Sequence, residues 1–267
     1  MEIFGYQYFV NAILASSLTA ISCGIIGSYI VAKRMVFVAG GITHSSFGGI
    51  GIAYFLGLNP ILGASVFALL SGIGIERFTK KADIRNDSVI AILWSMGMAI
   101  GIIFIYLTPG YAPNLMSYLF GNILTVNTAD ILFLFGLSVL VLLFFSLFYK
   151  KILFISFDEE YAKSQNIRVE LFNYGLMILV ALTIVLNIKI VGIILLISLL
   201  TVPQNTANLF TKNFKKIIIY SIVIAFIGSV SGLIISYYLN IPSGATIIFN
   251  LILIYLLVRL GKRLLKL

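Results

Sequence analysis

Long apolar runs, broken at short polar or proline-containing intervals, fill the 267 residues almost from end to end. A bilayer core about 30 Å thick is crossed by roughly 20 apolar residues in a helix. By that measure the pattern predicts about nine transmembrane helices, at 8–32, 36–57, 60–78, 88–107, 129–149, 171–187, 190–210, 217–238 and 243–258. The second is rich in glycine and the ninth is short, so eight full spans plus one partial segment is the alternative. Only helices or closed barrels satisfy the backbone in lipid, so the fold class expected is all-α, a single polytopic membrane domain over residues 1–267. The breaks carry turn chemistry. Asn59-Pro60, Thr108-Pro109-Gly110 and Asn240-Ile241-Pro242 combine turn residues with proline, while Lys33-Arg34, Lys150-Lys151 and Lys212 to Lys216 are basic stops. The first run is too long for a cleavable leader. It has Glu2 ahead of it and Lys33-Arg34 behind, the reverse of a secretory signal's polarity.

Composition agrees: 61% of residues are hydrophobic and 10% charged, against about 25% charged in a soluble domain. The net charge of +9 would suggest nucleic acid in a soluble protein, but here it sorts by side. With the N-terminus outside, alternate numbering of the loops puts 17 of the 18 basic residues in the cytoplasm. They are Lys33, Arg34, Arg77, Lys80, Lys81, Arg85, Lys150, Lys151, Lys163, Arg168, Lys212, Lys215, Lys216, Arg259, Lys262, Arg263 and Lys266; only Lys189 is outside. The positive-inside rule then gives N-out, C-in and an odd number of crossings. The excess charge is a topology signal, and no nucleic-acid partner is expected. Cys23, the only cysteine, is expected to pack as a small apolar residue.

The acids limit mechanism. Glu2 and Asp130 fall outside or at that interface, and the other seven in or near cytoplasmic loops. A self-powered carrier usually needs an intramembrane carboxylate, and none is found at the centre of a span. A secondary carrier is therefore the less favoured reading. The only Gly-Lys pair, Gly261-Lys262, lies outside any GxxxxGK[ST] context. If ATP drives this chain, another polypeptide hydrolyses it.

Residues 152–170 form the longest cytoplasmic loop. Asp158 is an expected N-cap, followed by Glu159 and Glu160 in a first turn where acids complement the helix dipole. Asn166 is suited to close the helix in a left-handed conformation. A helix of about two turns, 159–165, is too short to stand alone and must dock on something. Phe157, Tyr161 and Ile167 are the apolar groups it offers. The docking surface is either the protein's own or a groove in an ATPase.

His44, the only histidine, lies in the glycine-rich second span. Gly40 and Gly41 precede it by one turn, and Gly48 and Gly51 follow on the same side. Small residues allow close helix approach, so His44 is expected to face a helix or a cavity. Imidazole is a common zinc ligand; the alternative is a buried histidine bonded to a carbonyl. Met96 and Met98, two positions apart, are read as packing residues. Pro203, Gln204 and Asn205 in the seventh span suggest a hinge or gate, or an ordinary kink.

These segments together resemble the permease family of zinc, manganese and iron ABC importers over nearly the whole chain. MVFVAGGITHSSFGGIGIAY (Met35 to Tyr54) is similar to that family's second-span motif, in which Asp and His are four apart. NLMSYLFGNIL (Asn114 to Leu124) is similar to its extracellular segment, and SFDEEYAKSQNI (Ser156 to Ile167) to its coupling segment. VGIILLISLLTVPQNTANL (Val191 to Leu209) and PSGATII (Pro242 to Ile248) are similar to its later spans. The resemblance implies a type II ABC importer-like permease of the bacterial cytoplasmic membrane. It further implies a second copy of the chain, ABC ATPase subunits, an extracellular metal-binding protein, and a divalent metal as cargo with no resident cofactor. Phe157, Asp158, Glu159, Glu160, Tyr161, Ala162 and Ile167 would make the ATPase contact. Gly40 stands where aspartate is usual and Asn166 where glycine is usual. Imidazole without carboxylate leans toward zinc over manganese. A permease for a metal chelate such as a siderophore or cobalamin is the alternative within the class.

Overall fold

The computed structural model describes residues 5–81, 86–109 and 121–264, with the side chains of 79–81 and 86 left aside. The expected extracellular segment 114–124 is thus described only from Gly121, and the side chains of Lys80, Lys81 and Arg85 lie outside the described residues. Every long element is a helix: α1 (Gln7–Ala32), α2 (Val36–Phe55), α3 (Pro60–Lys81), α4 (Asn86–Leu107), α5 (Thr128–Phe157), α6 (Glu159–Ser164), α7 (Val169–Leu199), α8 (Val202–Phe210), α9 (Phe214–Leu239) and α10 (Ser243–Leu264). A 3₁₀ turn, Ile123–Thr125, precedes α5.

By length and apolarity alone the described residues hold eight membrane-crossing helices, because Val169–Phe210 reads as one stretch. Side-chain pairing shows that this stretch doubles back. Asn187 Oδ1 accepts from the Thr19 hydroxyl at 2.7 Å, and Gln204 Nε2 donates to the Cys23 carbonyl at 2.9 Å. Thr19 and Cys23 are one turn apart on α1. Asn187 and Gln204 would be roughly 25 Å apart on a continuous helix. The reversal is at Gly192, with φ 76° and ψ 166°, a conformation open to glycine and strained for other residues. The backbone of Gly121, itself at φ 65°, packs directly on Val191 and Gly192. The described residues therefore make nine passes, as the pattern predicts.

The start of α1 and the end of α10 lie at opposite ends. One end gathers Phe9, Asn127, Asp130, Lys189 and Tyr237; the other gathers Lys33, Glu159, Asn173, Phe214 and Lys262. The second set is the basic, cytoplasmic end. α2 is the central helix, buried along most of its length and packed between α3 and α4, with α7 behind it. α1 occupies a second centre, flanked by α5, α9 and α7.

The fifth helix kinks at Phe148, beside its expected end at 149, and a second helical piece runs on to Phe157, so the loop expected over 152–170 is shorter. Asp158 ends one helix and starts the next, and α6 stops at Ser164. Asn166 has φ 54°, the left-handed closure that its residue type permits.

Candidate functional site

Three features of the fold bear on transport. The first is the cytoplasmic corner formed by the end of α5, α6 and the start of α7. Asp158 accepts from the Tyr161 backbone N–H at 2.9 Å, which is the N-cap bond. Ala162 is fully buried with Ile155 and Val169, and Phe154, Ile167 and Phe172 pack around them. Ile167 is half-buried and packs on the protein's own cluster. Glu159, read from the sequence only as a dipole complement, forms an ion pair with Lys33 at the end of α1 and accepts from Asn173 of α7 at 3.4 Å. The outer face keeps Phe157 63% exposed and Tyr161 46% exposed. Glu160 and Lys163 pair at 2.7 Å in solvent, and that hydrogen bond holds the lysine above its ordinary pKa. The helix is seated on one side and open on the other.

The second feature is the glycine face of α2. A Cβ on Gly41 would press on Ile90, one on Gly48 on Phe67 and the Gly97 carbonyl, and one on Gly51 would overlap the Gly101 backbone. Gly49, not singled out from the sequence, would overlap the Gly63 carbonyl. These close approaches bind α2 to α3 and α4 backbone to backbone, the membrane mode of helix packing. Gly40 differs: a Cβ there meets only Trp94 Cζ3, at an ordinary 3.5 Å. His44 lies one turn on and stacks on Trp94, with ring centroids 4.0 Å apart and planes within 8°. Its Nδ1 is buried with no hydrogen-bond partner among the described residues, while the residue as a whole is partly exposed. No signal in the sequence pairs His44 with Trp94, although Trp94 is the only tryptophan.

Trp94 borders a stripe on α4 in which Ser88, Ala91, Ser95, Met96 and Ala99 are exposed, with one large apolar residue, Ile92, among them. The outer face of α5 carries Leu132, Phe133, Phe135, Leu143 and Leu147. Large apolar groups suit lipid, whereas small, hydroxylated and thioether groups suit protein or a water-lined path. Met96, expected to pack, is instead on this exposed face. Among the described residues no group of three or more His, Cys, Asp or Glu gathers. His44 alone cannot make a closed metal site.

The third feature is the broken leg α7–α8. Thr201 leaves helical geometry, Pro203 falls in the first turn of α8, and Gln204 is fully buried. Gln204 Nε2 bridges Cys23 O and Leu199 O, and its amide fills the space left by Gly27 on α1. Asn205 is exposed and caps back to the Thr201 carbonyl at 2.8 Å. At the outer end, Lys189 and Asp130 pair at 2.7 Å, with Asp130 buried. The sequence placed both groups outside without joining them.

The model of the ABC 3 transport family matches residues 5–262. An uncharacterized membrane protein of Synechocystis sp. is 39% identical over 252 residues, which are 94% of this chain and 90% of that protein. The manganese import system permease protein ScaB of Streptococcus gordonii is 34% identical over 251 residues, again 94% of this chain and 90% of the relative. Among solved structures, PsaBC from Streptococcus pneumoniae in complex with Fab matches with a TM-score of 0.85 at 31% identity. That match covers 96% of this chain and 92% of the other.

Proposed function

The chain belongs to the ABC 3 transport family and is a multi-pass permease of the bacterial cytoplasmic membrane; from this premise we propose that it is the translocation subunit of an ATP-driven importer for divalent transition-metal ions. It works as two copies, with separate ATPase subunits at the cytoplasmic face and a metal-binding protein outside. The carrying observation is the seat of α6: a capped helix tied to α1 and α7 through Glu159, presenting Phe157 and Tyr161 outward at the basic end. That arrangement suits a coupling element. A push on its open face is delivered through Lys33 to α1 and through Asn173 to α7.

In this reading the α4 stripes of two copies face each other and line the path. His44 is the transient donor within it, and Trp94 holds the ring in place. α2 and α4 share close backbone contacts and move as one body. The joints are the breaks at Gly192 and Thr201, so the α7–α8 leg is the part that bends, with Gln204 as its hold on α1. The permease makes no bonds; it alternates access while ATP is hydrolysed elsewhere. A lone imidazole leans toward zinc, but ScaB is a manganese permease by name, and manganese is accordingly the first cargo to test, zinc the second. Family membership leaves the self-standing carrier without support, and a chelate as cargo would need no imidazole donor.

The test is uptake of radioactive manganese by liposomes that contain the permease, its ATPase and its binding protein. Uptake should require ATP and the ATPase, and free manganese or zinc should compete better than a siderophore or cobalamin. Equal uptake with no ATPase present would overturn the reading.

A further inference from the structure

Outside the features above, the molecule has a groove that transport does not use. α5 and α9 each pack along α1 yet make little contact with each other. In the gap between them α1 carries exposed Leu14 and half-buried Leu18 and Ile21, at intervals of four and three, so that they form one stripe; Ile25, four residues on and itself buried, meets the cavity at its end. At the cytoplasmic end the gap widens into a cavity of about 470 Å³ lined by Ile25, Phe145, Ser146, Tyr149, Lys215 and Ile222, among others. The stacked rings of Tyr149 and Phe214, with centroids 6.2 Å apart, close it beyond that point. Lys215 is exposed at the cavity mouth and has no acidic partner among the described residues; its backbone meets the Tyr149 hydroxyl.

We propose that this groove binds one phospholipid of the inner leaflet, its phosphodiester on Lys215 and Tyr149 and an acyl chain along the α1 stripe. Three observations agree on that occupant. The groove has one polar end and an otherwise apolar lining, which fits an amphiphile. The polar end carries a cation without a counter-carboxylate, and it lies at the cytoplasmic end, where basic pockets between helices take lipid head groups. From Leu14 to Ile25 the stripe rises about 16 Å, the depth of one leaflet of a core about 30 Å thick. A single acyl chain fills that length, whereas a water-soluble anion would leave the stripe bare.

The experiment is native mass spectrometry of the full-length permease, delipidated in detergent and titrated with phosphatidylglycerol. One phosphatidylglycerol per chain should be retained. Ser146→Trp, which places an indole in the cavity, should abolish retention. Lys215→Gln should weaken it about fivefold, the scale of one lysine near a lipid surface. Lys212→Gln, a lysine outside the groove, should leave it unchanged. Dioleoylglycerol, which lacks the phosphate, should fail to compete. Retention of detergent only, equal retention by Ser146→Trp and wild type, or full competition by dioleoylglycerol would each overturn the proposal. So would loss of self-association rather than of lipid in Ser146→Trp, because a second copy would then be the occupant.

Discussion

The glycine-rich α2 and the short α6 are held in place by opposite means. α2 has a buried hydrogen bond from Ser45 to Ser71 of α3, at 2.8 Å, and is otherwise fixed by glycine backbones pressed against α3 and α4. α6 is too short to fold alone and is fixed by a cap, one ion pair and one buried alanine. The first is rigid because its contacts are close and many. The second is movable because its holds are few and replaceable. The proposed function asks for both: a centre that does not deform and an entry point for force that does.

The largest effect expected breaks the α2 side of the comparison. Gly49→Val places its side chain in the Gly63 backbone, where neither partner can give way. Backbone overlap of this kind belongs with overpacking and should abolish the monodisperse, folded protein. Gly40→Val meets only the edge of Trp94 and should insert and purify normally. Fluorescence-detected size-exclusion profiles of the two variants check this; similar profiles would mean that the glycine face is not what fixes α2.

A smaller effect concerns the cargo. His44→Ala removes the imidazole without touching the glycine contacts, so assembly should be normal and uptake of metal by the reconstituted complex should fall about tenfold or more. His44→Asp should restore part of it, more for manganese than for zinc, because manganese favours oxygen donors. Undiminished uptake in the alanine variant, normalised to assembled protein, would make His44 a packing residue against Trp94.

The smallest effect sharpens the α6 side. Asp158→Ala removes a cap worth roughly 0.5–2 kcal/mol. Transport-coupled ATPase activity should drop while insertion stays normal, and Tyr161→Ala on the open face should act in the same direction. Lys163→Ala disrupts only the solvent-exposed pair with Glu160 and should change nothing measurable. Full coupling in both Asp158→Ala and Tyr161→Ala would mean that α6 is not the ATPase contact.

Spans, orientation and the Asp158 cap were legible in the sequence because each is a local free energy: roughly 20 apolar residues per crossing, the placement of basic residues, a side chain bonding a backbone N–H three residues on. The doubling back within Val169–Phe210 was legible too, because its two halves are each long enough to cross and Lys189 marks the outside between them. What tertiary structure alone decided was partnership. Thr19 with Asn187, Gln204 with Cys23, Asp130 with Lys189, Lys33 with Glu159 and His44 with Trp94 are each joined across helices. The outward placement of Met96 also waited for the fold. The physical reason is the solvent. In water an amphipathic stripe announces which face a helix buries. In lipid the outer face is as apolar as the core, so the hydrophobic pattern determines that a helix crosses and leaves open what each of its faces will touch.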